Sequence, residues 1–115
     1  MNESERFNAY RIMWLMVYFD LPTETKADRK LYATFRKNLL KAGFTMFQYS
    51  VYIRHCMSRE HADRMRKGIK AILPPKGHVV ISNLTDKQFQ GLEVYQGKSS
   101  PTRPPAHQSL MLEFF

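Results

Sequence analysis

One carboxylate raises the question of chemistry. Asp20 ends the apolar run Ile12-Met13-Trp14-Leu15-Met16-Val17-Tyr18-Phe19 and is followed by Leu21-Pro22. Its nearest acidic neighbours in sequence are Glu5 and Glu24, so it stands nearly alone. An Asp after a strand is commonly a turn former that bonds the following backbone amides. The chemical reading is ligation of a hard divalent cation. Mg2+ takes oxygen ligands, keeps several waters and needs only one or two carboxylates. One Asp per chain is a poor site. Two copies related by a two-fold axis, the usual symmetry of soluble homodimers, bring two carboxylates to one cation. Without the cation those carboxylates repel, which raises their apparent pKa and weakens metal binding in acid.

Basic residues form the second constellation. The 115-residue chain carries a formal net charge of +8. Residues 26–70 hold 12 Lys and Arg against Asp28, Glu60 and Asp63, a net of +9, so the remainder is close to neutral. A charge run on a helix is usually a solvated face. This asymmetry exceeds what solubility requires and points to a polyanionic partner. Lys26, Arg29, Lys30, Arg36, Lys37, Lys41, Arg64 and Lys67 are the candidate phosphate contacts. Such contacts give salt-sensitive and largely sequence-independent binding. No zinc finger or base-reading helix is evident.

Two weaker constellations follow. Phe44, Phe47, Tyr49 and Tyr52 are of a type that stacks bases on the sheets of RNA-binding domains, but the basic-Gly-aromatic pattern of those domains is missing. Core and interface packing is the better reading for most of them. His55, Cys56 and His61 do not fit a paired zinc spacing, and no second Cys exists. A Cys-His nucleophile pair lacks an orienting third group. A partly buried Cys and surface histidines are the plainer reading.

These residues must be positioned by a small set of elements. The apolar run at 12–19 reads as a buried strand. Thr25 caps a helix to about Ala42, with Asp28 in its first turn and Gly43 as its stop. Ala27, Leu31, Phe35 and Leu39 form its apolar stripe. Residues 44–54 read as a strand with a bulge or bend near Gln48-Tyr49-Ser50. Ser58 caps a second helix with the stripe Ala62, Met65, Ile69 and Ile72, leaving Arg59, Arg64, Arg66, Lys67 and Lys70 outside. Pro74-Pro75-Lys76-Gly77 ends that helix. Residues 78–83 form a further strand and 91–96 a weaker one. The fold class is α+β, a ferredoxin-like β-α-β-β-α-β plan with an antiparallel sheet and both helices on one face.

The length fits one domain. We assign residues 1–96 to it, 97–109 to a flexible linker of Pro, Ser and Gly character, and 110–115 (Leu-Met-Leu-Glu-Phe-Phe) to an apolar docking strand for a sheet edge. A single cysteine, a polar acidic start and an apolar run too short to span a bilayer predict a cytoplasmic protein without a membrane partner.

Leu15-Met16-Val17-Tyr18-Phe19-Asp20-Leu21-Pro22, followed by Asp28-Arg29, Phe35-Arg36, Leu39-Leu40, Gly43-Phe44 and Gln48-Tyr49-Ser50-Val51-Tyr52, resembles the small CRISPR-associated adaptation protein, the Cas-two family. The pattern is most similar to members from systems with a Cas9-type effector, and spans roughly residues 11–83. The resemblance implies a ferredoxin-like homodimer in which the acid after the first strand faces its symmetry mate. It implies a magnesium-dependent endonuclease assignment with Asp20 as metal ligand, and Arg29 and Arg36 near the active site or on nucleic acid. It implies a partnership with the larger CRISPR integrase subunit, in which the small dimer bridges integrase dimers and supports the duplex DNA that becomes a new spacer. The C-terminal segment is expected to add to the partner protomer's sheet. The alternative reading is a toxin-like, metal-dependent endoribonuclease or DNase that acts without an integrase.

Overall fold

The apolar run does become the centre of the molecule. In the computed structural model, which describes residues 13–97, it forms strand β1 (Met13–Asp20). Helix α1 (Lys26–Lys41), strands β2 (Thr45–Gln48) and β3 (Val51–Cys56), helix α2 (Arg59–Ala71), strand β4 (His78–Thr85) and the short helix α3 (Asp86–Gln90) follow. The sheet order is β2-β3-β1-β4, with every neighbouring pair antiparallel. This is the ferredoxin-like β-α-β-β-α-β plan.

Pleating sends alternate residues of β1 to opposite faces. Met13, Leu15, Val17 and Phe19 pack beneath the helical layer with Phe35 and Leu39 of α1 and Ala62 and Ile69 of α2. Trp14 and Met16 face the other way and pack with Ile53 and with Phe89 of α3. β1 is apolar from Met13 to Phe19 because it is central and covered on both faces for most of its length. Trp14 stacks on Phe89 with ring centroids 4.0 Å apart, and its indole Nε1 donates to Asp86 at 2.8 Å.

Both helix starts are capped by the residues that the sequence singles out. Thr25 and Asp28 form a reciprocal capping box, and the Ser58 hydroxyl accepts from the His61 amide. Gly43, at φ +89, ends α1 after Ala42. The stripe of α1 is shifted: Phe35 and Leu39 are buried, Leu31 is half-buried and Ala27 is exposed, while Tyr32 packs inward in its place.

Two expectations change. Residues 44–54 are not one bent strand but a hairpin, β2 and β3, turning at Tyr49-Ser50. Ser50 adopts φ +62, which reverses the chain, and the register slips between Met46 and Gln48 as a bulge does. Residues 91–96 do not form a strand. Thr85 caps α3 immediately after β4 and carries the chain over the second face of the sheet, where Phe89 and Leu92 pack; only Val94 makes an isolated bridge. The last strand of the plan is therefore β4, which extends to Thr85. The proposed docking strand at 110–115 lies outside the described residues, as does the linker apart from Gly97. Among the described residues, no helix is long and apolar enough to cross a membrane.

Candidate active site

Asp20 is the last residue of β1 and is exposed. It shares a face with Tyr18, Met16 and Trp14, the face away from α1 and α2. Its cross-strand partner is His78, the first residue of β4, also exposed. Beside them Tyr18 pairs with Val80, which is 58% exposed, and the Tyr18 and Ser82 hydroxyls lie 3.0 Å apart. This end of the sheet is open, because α3 covers only the Trp14 end.

Four contacts fix the backbone around Asp20. Gly77 packs against it so closely that a Cβ there would fall 2.6 Å from the Asp20 carbonyl oxygen and 2.7 Å from Leu21 Cδ2. Gly77 also sits at φ +85, so glycine is needed twice over. On the other flank the Phe19 amide donates to the Ser50 carbonyl at 3.0 Å. Below, Arg29 Nη1 donates to the carbonyls of Thr23 and Glu24 at 3.1 and 3.0 Å, tying down the connection that follows Asp20. Lys76, next to Gly77, lies 3.5 Å from the buried Asp28 carboxylate and joins the start of α1 to the loop before β4. Burial raises the Asp28 pKa, but bonds from the Thr25 amide and hydroxyl and the charge of Lys76 outweigh it and hold the carboxyl below its ordinary value.

The other candidate residues lie in the helical layer. Lys26, Arg29, Lys30, Arg36, Lys37 and Lys41 are exposed on α1, and Arg64 and Lys67 on α2. Among the described residues, the ion pairs are Arg66–Asp63 at 2.8 Å and Lys76–Asp28. None of the eight candidate phosphate contacts is ion-paired with a carboxylate among the described residues. Arg36 is exposed on α1, in the layer on the other side of the sheet from the face that carries Asp20. Arg29 is nearer but is engaged with the connection itself.

The donor set of one chain is small. Among the described residues, no group of three or more His, Cys, Asp or Glu is arranged to hold a metal ion. Asp20 is nevertheless suited to a hydrated hard cation, since its exposed carboxylate leaves room for waters, a phosphate and a second copy's ligand. His55, Cys56 and His61 do not assemble. His55 meets Trp14 edge-on at 5.0 Å, whereas the adjacent Cys56 is buried on the opposite face. Burial pushes the Cys56 thiol up, away from nucleophilic use. His61 Nδ1 accepts from the Met57 amide at 3.2 Å. Burial and the nearby cations lower the pKa of both histidines.

The aromatics divide. Phe44 and Tyr52 are core, and Phe47 packs toward Phe89. Tyr49 is 75% exposed. Sequence reasoning missed His78 beside Asp20 and the fit of Gly77. Antiparallel pairing of the two apolar strands would have found both. A cavity of about 340 Å³ lined by Met13, Arg59, Ala62, Asp63, Arg66 and Asn83 lies toward the far end of β1 from Asp20.

Comparison with known proteins now bears on this geometry. The family model of CRISPR associated protein Cas2 matches residues 13–91, from the first strand to the end of α3. The chain belongs to the Cas2 family. It is 47% identical over 107 residues to the CRISPR-associated endoribonuclease Cas2 of Flavobacterium psychrophilum, covering 93% of each chain. It is 50% identical over 97 residues to the protein of that name from Parvibaculum lavamentivorans, covering 84% of this chain and 93% of that one. It is 44% identical over 101 residues to the one from Ligilactobacillus salivarius, covering 87% of this chain and all of the relative. Within this Cas2 fold, Asp20 ends the first strand and the basic residues occupy the helices that follow.

Proposed function

We propose that this Cas2 protein acts in CRISPR adaptation as a homodimer that holds duplex DNA and bridges copies of the larger integrase subunit. The observation that carries the reading is the division of the molecule into two layers. Asp20 and the exposed Val80 lie on the open sheet face, whereas the exposed bases of α1 and α2 lie on the other side. Two copies packed sheet to sheet would bury the apolar face and leave two basic layers pointing outward. Such a dimer presents phosphate-binding surfaces on opposite sides, which is the form a bridge requires. The linker 97–109 and the apolar segment 110–115 would reach a sheet edge of the partner protomer.

At the dimer axis, Asp20 from each copy would hold Mg2+. The bound ion would supply charge neutralisation at a phosphate and acidify a water. Arg29 holds the connection that sets the Asp20 backbone. Arg36 is placed to meet phosphate from the helical side rather than the reacting group. A second reading, an endoribonuclease centred on Asp20, is favoured by the names that the relatives carry.

Asp20→Ala separates the two. The bridging role requires that it bind duplex DNA and the integrase subunit as the wild type does, and support spacer integration. Loss of integration by a folded Asp20→Ala dimer would sink the architectural reading. Equal Mg2+-dependent cleavage by both proteins would sink the nuclease reading.

A further inference from the structure

Tyr49 is the most exposed aromatic among the described residues, at the tip of the β2–β3 hairpin. Its ring is not loose. It stacks on Tyr32 of α1 with centroids 6.1 Å apart and an interplanar angle of 22°. The Tyr32 hydroxyl lies 3.1 Å from the Ser50 hydroxyl, so the turn is anchored to the helix from which the stacking ring projects. Tyr32 in turn contacts Phe19, at 5.5 Å between centroids, and so joins the core. The outer face of the Tyr49 ring is left to solvent.

The surroundings are cationic. Arg29, Tyr32 and Arg36 are spaced i, i+3 and i+7 along α1 and form one stripe. Arg29 therefore stands one turn before Tyr32 on α1, where its guanidinium donates to the Thr23 and Glu24 carbonyls, and Arg36 stands one turn after it. On the same helix the Asp28 carboxylate is buried and engaged by Thr25 and Lys76. A fixed ring face between two cations one helical turn to either side has the chemistry of a single-strand site, where a base stacks and the adjoining phosphates are neutralised.

We propose that Tyr49, backed by Tyr32 and flanked by Arg29 and Arg36, is a stacking platform for an unpaired base of a single-stranded nucleic acid. A duplex offers no base face to this ring except at its end, so the platform adds a preference that the basic helices alone do not provide. The hairpin also carries Ser50, whose carbonyl is bonded to the residue before Asp20. A base held on Tyr49 would thus belong to a strand passing the same end of the sheet as the candidate metal ligand. The inference requires no metal at Asp20.

The test is fluorescence anisotropy of the full-length protein with a labelled short oligothymidine and with a duplex of matched length, in low salt and EDTA. Tyr49→Ala should weaken single-strand binding about tenfold, the scale of one lost base–aromatic stack, and leave duplex binding within about twofold. Tyr49→Phe and Tyr49→Trp should bind the single strand as the wild type does. Because Tyr49 is exposed, the alanine variant should keep its circular dichroism spectrum and its oligomeric state. Unchanged single-strand affinity, or an equal loss on both ligands, would overturn the proposal. So would dissociation of the dimer by Tyr49→Ala, which would make the ring an assembly contact.

Discussion

Asp20 and Gly77 are locked together by shape: no side chain fits at position 77 without striking the Asp20 carbonyl or Leu21. The contact couples the end of β1 to the start of β4 and sets Asp20 opposite His78. The left-handed backbone at Gly77 adds a second reason for glycine. Gly77→Ala should destabilise the fold by roughly 2 kcal/mol through strain at positive φ and the clash. Urea denaturation would read this as a lower midpoint at unchanged slope. If the midpoint is unaltered, the backbone at 77 has room that this packing denies.

The basic layer makes a quantitative prediction. Lys37→Glu with Lys41→Glu should weaken duplex binding and flatten its salt dependence. Each lost phosphate contact removes about 0.9 from the slope of log K against log salt. Anisotropy titrations across a salt series would measure it. A slope equal to that of the wild type would place the phosphate contacts elsewhere.

The second face depends on one stacked pair. Phe89 is fully buried against Trp14. Phe89→Ala should cost about 3–5 kcal/mol, the range for truncating a buried Phe. The Trp14 fluorescence should shift to the red as α3 loosens, since Trp14 is the only tryptophan in the chain. An unshifted spectrum with unchanged stability would mean that α3 does not cover this face in solution.

Asp28 predicts a pH dependence. Its folded pKa lies below the ordinary 3.8, so the folded state favours the ionised form. That contribution is complete above pH 3.8 and is lost as pH falls through the lower folded value. Asp28→Asn should therefore melt at a lower temperature than the wild type at neutral pH, with the gap closing below about pH 3.8. A gap that persists undiminished into strong acid would exclude the ionised carboxylate as its source.

Much of this fold was legible from local chemistry. The apolar run could only be a strand covered on both faces, and Thr25, Ser58 and Gly43 marked the helix ends through their capping geometry. The division of residues 44–54 was harder. Its aromatic and β-branched composition is the same on both sides of the turn, and only the positive φ at Ser50 breaks it. Residues 91–96 misled for a related reason. A short β-like composition does not reveal that Leu92 packs beside Phe89 beneath the sheet. At the site, Asp20 was visible because it is the only acid near the strand end. His78 was not, because it is distant in sequence and strand register brings it alongside.

The sequence by itself determined the first strand, the two capped helices, the family and the concentration of positive charge in residues 26–70, since periodicity, caps and charge are local properties of the chain. Only the tertiary structure decided that the acid and the bases lie in different layers. Pleating puts Asp20 on the face opposite the helices, and helix packing turns the bases outward. It also decided that Tyr49 is a ring held open on the surface rather than a piece of the core. The cause is the turn at Ser50, which carries Tyr49 past the sheet edge to Tyr32.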